Sequence, residues 1–289
     1  MPVLVWAMLI AGVTALIAGL VLAWPRFQDA TGTARLLALA PVFEAAPLAV
    51  FAMEHFFDAH DLMAIVPRWL PWHLFWTYFV GLALFAAAIS FIAWRHVRWS
   101  ASLLALMFLI FVATMDLPAT IAEPHNRINW ILTFRELAFS AGAMALAGSV
   151  WPTSGGSTRA TLLRISRTIL AVTLVFYAVE HFLYPHNVSG VPLEKITPEW
   201  IPAPTLITYF VGIILLLAGP ALLIPRAARM AATGAGAALL LLTAFFYVPI
   251  LVAEIHTPLA VEGLNYVFDT MLFAATVLLA GSSPGNSTV

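Results

Sequence analysis

The sequence contains no cysteine, and only 9% of its 289 residues are Asp, Glu, Lys or Arg. The first absence excludes disulfides, iron–sulfur clusters, thiolate zinc sites and cysteine nucleophiles. The second excludes a single soluble domain, in which roughly 25% of residues are charged. A net charge of −1 gives phosphate backbones nothing to bind, so no nucleic-acid partner is expected. What is abundant is apolar: 62% of residues are hydrophobic and the mean hydropathy is +0.97. The chain is therefore expected in a lipid bilayer, with any chemistry carried by His, Glu, Asp, Arg, Asn or bound cofactors.

Continuous apolar runs of roughly 20 residues, the length that spans about 30 Å of hydrocarbon, predict nine transmembrane helices. They lie near 2–24, 35–57, 74–94, 99–118, 130–151, 161–184, 204–224, 229–252 and 263–281. The runs do not alternate, which excludes a β-barrel. The first run lacks a basic n-region and is read as a retained helix rather than a signal peptide. Nine of the thirteen basic residues (Arg26, Arg35, Arg95, Arg98, Arg159, Arg164, Arg167, Arg226 and Arg229) fall on one side of these helices. Basic residues accumulate in short cytoplasmic loops. The expected topology is thus a multi-pass inner (plasma) membrane protein with its N-terminus outside and its C-terminus cytoplasmic.

Self-comparison reveals a duplication. Glu54-His55-Phe56 with His60 recurs 126 residues on as Glu180-His181-Phe182 with His186. Pro67-x-Trp69-x-Pro71 recurs at an offset of 131 as Pro198-x-Trp200-x-Pro202, and residues 77–81 (Thr-Tyr-Phe-Val-Gly) recur letter for letter as 208–212. Pro118 with Glu123 and His125 recurs, again at 131, as Pro249 with Glu254 and His256. The unit is four helices, so the fold class is an all-α integral membrane protein of two parallel repeats. Residues 1–128 form the first, 129–260 the second, and 261–289 a closing ninth helix with a short Ser/Gly-rich tail read as disordered.

These motifs, Glu-His-Phe at a helix end, Pro-x-Trp-x-Pro in the next loop and Tyr-x-x-Gly in the following helix, resemble the DoxX-like family of small four-helix membrane proteins. The resemblance covers about residues 35–281, as a tandem fusion. It implies a four-helix bundle per repeat and a link to quinone or electron transfer, since some members are subunits of thiosulfate:quinone oxidoreductase. Members that handle disulfides use cysteines, and this chain has none.

Seven of the eight histidines fall at outer helix ends or in outer loops, and only His96 does not. Pro118 is expected to bend the fourth helix one turn before Glu123 and His125. If the second and fourth helices are neighbours, Glu54, His55, His60, Glu123 and His125 converge, and Glu180, His181, His186, Glu254 and His256 repeat the set. Such donors suit zinc, iron, manganese or copper. Against this stands the bland alternative of interfacial residues in an aromatic belt with Trp69, Trp72, Trp76, Trp130 and Trp200. Glu136 and Asp269, two turns inside the membrane, join Tyr78 and Tyr209 as candidate contacts for a quinone. Arg135 is expected to pair with Glu136 or another carboxylate inside the bundle.

Three functions compete. One is a redox-associated protein whose outer His/Glu site holds a transition metal or a quinol head group and works with a membrane or periplasmic redox partner. The second is a transporter or channel with an outer polar vestibule, for which Glu44 and Asp29 are the main polar residues toward the opposite side. The third is an assembly subunit that docks a periplasmic partner.

Overall fold

The structure, a computed structural model, describes residues 2–282, so the Ser/Gly-rich tail lies almost wholly outside the described residues. The chain is 81% helical, and the described residues contain no strand. Nine helices among them are long and apolar enough to cross a membrane: α1 (Pro2–Asp29), α2 (Ala34–Phe57), α3 (His73–Ala93), α4 (Val97–Ala122), α5 (Arg127–Ser149), α6 (Gly156–Leu183), α7 (Pro204–Leu222), α8 (Ala228–Glu254) and α9 (Ala260–Ala280). The protein is an all-α, multi-pass membrane protein. Hydrocarbon offers no partner to backbone N–H and C=O groups, so each apolar run satisfies its own as a helix. Side chains such as Ile10, Ile17, Leu82, Leu106, Leu217 and Leu241 remain exposed on the outer surface, where lipid replaces water.

The ninth helix closes the bundle from its centre. Its most apolar stretch is 83% buried, against 33% for α1, and it packs against α1, α2, α5, α6 and α8. Around it α2 packs on α3, and α6 on both α5 and α7, while α4 leans on α5 and α8 on α9. The set α9, α2, α3, α4 thus has the same neighbour relations as α5, α6, α7, α8, and α1 lies outside against α2.

Pro118 and Pro249 do not simply bend their helices. Each is preceded by a widened π-helical turn, Val112–Asp116 in α4 and Thr243–Tyr247 in α8. Proline has no N–H and its ring crowds the carbonyl four residues earlier, and the wider turn absorbs both defects. Asp116 and Tyr247 occupy equivalent places in the two turns.

The α5–α9 crossing depends on one small residue. A Cβ on Gly142 would lie 2.4 Å from Thr276 Cγ2 and 2.7 Å from its Cα, so backbone would have to move. Gly142→Val is expected to destabilise the bundle by about 1–3 kcal/mol, the usual overpacking cost, and to lower the melting temperature in detergent. Gly234→Val, where an added Cβ meets nothing within 4 Å, should leave it unchanged. Equal effects of the two would contradict this packing.

Candidate functional site: an intramembrane cavity and its filled counterpart

The first repeat encloses a cavity of about 1200 Å³ between α2, α3, α4, α5 and α9. Its walls are mainly apolar and aromatic, including Phe51, Trp69, Trp76, Phe108, Phe111 and Phe139. Phe79 and Ile110 line it from α3 and α4, yet each is 49% exposed on the outside of the bundle. The cavity thus reaches the surface of the bundle both at these helices and at the loop before α3, where Ile65 and Trp69 are 59% and 69% exposed.

Polar residues of the membrane spans line this apolar chamber, among them Glu54, His55, Asp116, Arg135, Glu136, Asn265 and Asp269. Arg135 anchors them, its Nη1 donating to Asp269 at 2.8 Å and its Nη2 to Glu136 at 3.3 Å. The expected pairing of Arg135 inside the bundle thus involves two carboxylates on two helices. Asn265 Nδ2 donates to Glu54 at 2.8 Å. Four buried polar atoms of this group make no hydrogen bond: Arg135 Nε, Asp116 Oδ2, Glu136 Oε2 and Asn265 Oδ1. Native proteins pair nearly all buried polar atoms, so each orphan calls for an explanation. In the loop that also lines the cavity, burial raises the Glu194 carboxyl above its ordinary range, partly offset by the Arg135 guanidinium.

His55 shows what the cavity offers an occupant. Its Nδ1 lies 2.7 Å from the Phe51 carbonyl, which can only accept, so Nδ1 carries the proton. Nε2 is then a lone-pair acceptor, with no hydrogen bond from any described residue. Gly81 permits this placement, since a Cβ there would come within 2.8 Å of His55 Cβ.

In the second repeat the equivalent space is occupied by the chain itself. Between His186 and Pro198 this repeat carries five more residues than the first does between His60 and Pro67, which is why the offset grows from 126 to 131. The longer loop dips inward, burying Val188, Ser189, Val191 and Leu193. His181 Nδ1 meets the Tyr177 carbonyl at 2.6 Å, as His55 meets Phe51, but its Nε2 accepts the Gly190 N–H at 3.0 Å. Tyr247, in the place of Asp116, donates to the Val188 carbonyl at 3.4 Å. Thr270 donates to the Val191 carbonyl, and Ser189 pairs with Thr208 at 2.8 Å. The loop is an apolar segment whose amide satisfies the histidine.

The residues expected to hold a metal are not gathered into such a site: among the described residues no three His, Asp or Glu side chains form a group that could hold an ion. The reason is packing and prior pairing. Rather than meeting, α2 packs chiefly on α1, α3 and α9, and α4 on α5. His60, His125, His186 and His256 are exposed, and Glu123, also exposed, accepts from Asn126 at 2.9 Å. Glu180 is paired with Arg127 at 2.6 Å and Glu254 with Lys195 at 2.7 Å. Both ring nitrogens of His181 are taken. Of the four residues assigned to a quinone, Glu136 and Asp269 line the cavity, whereas Tyr78 and Tyr209 are 42% and 39% exposed outside it. Asn265, Glu194 and Glu262 line the cavity without having been singled out, since no repeat or spacing marks them. Asp116 has no acidic counterpart at the offset of 131, where Tyr247 stands.

Comparison with known proteins adds little. A family model described as "Domain of unknown function (DUF8561)" matches residues 44–135, a segment that runs from Glu44 to Arg135. No curated protein and no solved structure matches the chain. Nothing in these comparisons connects it to DoxX-like proteins.

The ion cluster generates a stability prediction with an internal control. Arg135→Met leaves two carboxylates without their cation and is expected to cost about 3–5 kcal/mol, the range for breaking a buried pair. Asp269→Asn leaves Arg135 with Glu136 and should cost less. Thermal melts of both variants in detergent check the order, and a larger loss for Asp269→Asn would contradict it.

Proposed function

We propose that the protein binds one amphipathic molecule in the first-repeat cavity, and that isoprenoid quinols and quinones are the class that fits. One observation carries this reading: the second repeat fills the same space with an apolar segment that donates a hydrogen bond to the equivalent histidine. A ligand for the first repeat then needs an apolar body and a donor for His55 Nε2. A quinol has both, and it reaches the cavity from lipid. Its second hydroxyl finds acceptors among the lining carboxylates of Asp116 and Glu136, each of which has an oxygen without a hydrogen bond.

In this reading the chain binds the head group and accepts its protons at His55 and the neighbouring carboxylates. The electrons pass to a membrane or periplasmic redox partner. The motifs that resemble DoxX-like proteins imply the same ligand class. The basic residues orient the cavity to the extracytoplasmic leaflet of an inner membrane, with the N-terminus outside.

Quinone content and affinity test this reading. Solvent extraction of purified protein is expected to yield about one quinone per chain. His55→Ala and Asp116→Ala should each weaken binding about tenfold or more, the loss of one buried hydrogen bond. His181→Ala should instead lower thermal stability and leave quinone affinity nearly unchanged. Protein free of quinone after purification, with no binding on titration, would refute the proposal.

A second reading, transport, is favoured by a second cavity at the arginine-rich end of the bundle. On α2 that cavity reaches Leu37, Ala38 and Pro41, and the first resumes at Phe51. On α9 the limits are Leu279 and Leu272. The septum is about two to three helical turns, roughly 10–15 Å at 1.5 Å per residue. Glu44 sits within it, fully buried, with neither carboxylate oxygen hydrogen-bonded. Proton flux in proteoliposomes that is abolished by Glu44→Gln would establish transport. Absence of flux from the unaltered protein would exclude Glu44 as a carrier.

A further inference from the structure

The polar atoms that the first-repeat cavity leaves without a partner are unequal in kind. Among the described residues that line it, the buried side-chain atoms making no hydrogen bond are three oxygens, Asp116 Oδ2, Glu136 Oε2 and Asn265 Oδ1, and one N–H, Arg135 Nε. Three neighbouring donors are already engaged, since the Thr77 and Thr114 hydroxyls and the Trp76 indole each donate to a backbone carbonyl. Two acceptors are neutral groups held in that role by a neighbour. On His55 the Phe51 carbonyl takes the Nδ1 proton's hydrogen bond and leaves Nε2 as a lone pair. On Asn265, Nδ2 donates to Glu54 at 2.8 Å, and turning the amide over would set its oxygen against the carboxylate. Oδ1 is therefore the atom left over, and it can only accept.

We propose that the first-repeat cavity selects the reduced form, holding a quinol in preference to the quinone, and that Asn265 on α9 is a specificity-determining residue for this choice. The inference rests on the quinone reading and goes beyond it by assigning the redox state. A quinol brings two O–H donors, whereas a quinone brings two carbonyl oxygens and no donor. In an apolar chamber an oxygen placed against another oxygen leaves both unsatisfied, and water is not there to serve either. A quinol can satisfy two of the cavity's acceptors, while a quinone finds only the Arg135 N–H. Selection of the reduced form also pulls the bound couple toward reduction. A tenfold preference raises its two-electron midpoint potential by about 30 mV. The site is thus suited to collecting quinol from the lipid.

Anaerobic calorimetric titration of the full chain in detergent, with decylubiquinol and with decylubiquinone, tests the assignment. The quinol is expected to bind about tenfold or more tightly than the quinone, the worth of a buried hydrogen bond. The dimethyl ether of decylubiquinol keeps the ring and tail but has no donor, and it should bind no better than the quinone. Asn265→Leu and, separately, Asn265→Ala should weaken quinol binding about tenfold and leave quinone binding unchanged. Using two variants guards against one that fails to fold, and the ether comparison needs no variant at all. Equal affinity for quinol and quinone, or an ether that binds as the quinol does, would overturn the selection while leaving the cavity a quinone site. Equal losses of both ligands in the Asn265 variants would reduce that residue to holding Glu54 in place and overturn its assignment. Binding of neither ligand would refute the quinone reading itself, and this inference with it.

Discussion

A polar atom buried in hydrocarbon must find a partner, and this constraint shapes the whole bundle. Arg135 obeys it by reaching from α5 to Asp269 on α9 and to Glu136 beside it. That pairing ties the helix that opens the second repeat to the helix at the centre. Gly142 lets the same two helices touch near Thr276, about two turns away at 3.6 residues per turn. The ion pair and the close contact hold the wall on which the cavity is built. Asp116 and Glu136, each with an unsatisfied carboxylate oxygen, line that cavity from α4 and α5. Orphaned groups next to an apolar chamber are where an amphipathic molecule gains both kinds of contact.

Duplication supplied two copies of this arrangement, and they have diverged in what fills them. In the second, the Gly190 amide satisfies His181, and Val188, Val191 and Leu193 occupy the apolar space. In the first, the corresponding loop is too short to reach inside, and His55 keeps a free acceptor. The difference is one of chain length rather than of residue type at the site. Five additional residues turn a surface loop into an internal occupant.

Much of the architecture was legible in the sequence, because membrane spans announce themselves by length and hydropathy. All nine were found within a few residues of their observed positions, and the repeat was evident from shared motifs. The site was harder to read. Paired histidines and carboxylates resemble a ligand set when only spacing is known, but spacing does not reveal that Arg127 and Lys195 neutralise Glu180 and Glu254 from distant parts of the chain. Nor does it place Asn265 against Glu54, 211 residues apart. The jump in offset from 126 to 131 was the one available clue to the filled second repeat. It reads as a harmless loop insertion until the loop is seen to turn inward. Proline at 118 likewise signalled a local break, but not that the turn would widen to carry Asp116 to the cavity.

The account stands on the claim that one repeat carries its own occupant and the other takes one from the membrane. A density map of the protein extracted with its native lipids tests this most directly. The account requires elongated density in the first-repeat cavity with its head within hydrogen-bonding distance of His55 Nε2, and the backbone of residues 187–193 at the equivalent place in the second. Side chains closed over an empty first cavity, or a loop lifted away from His181 with ligand density in both repeats, would contradict it.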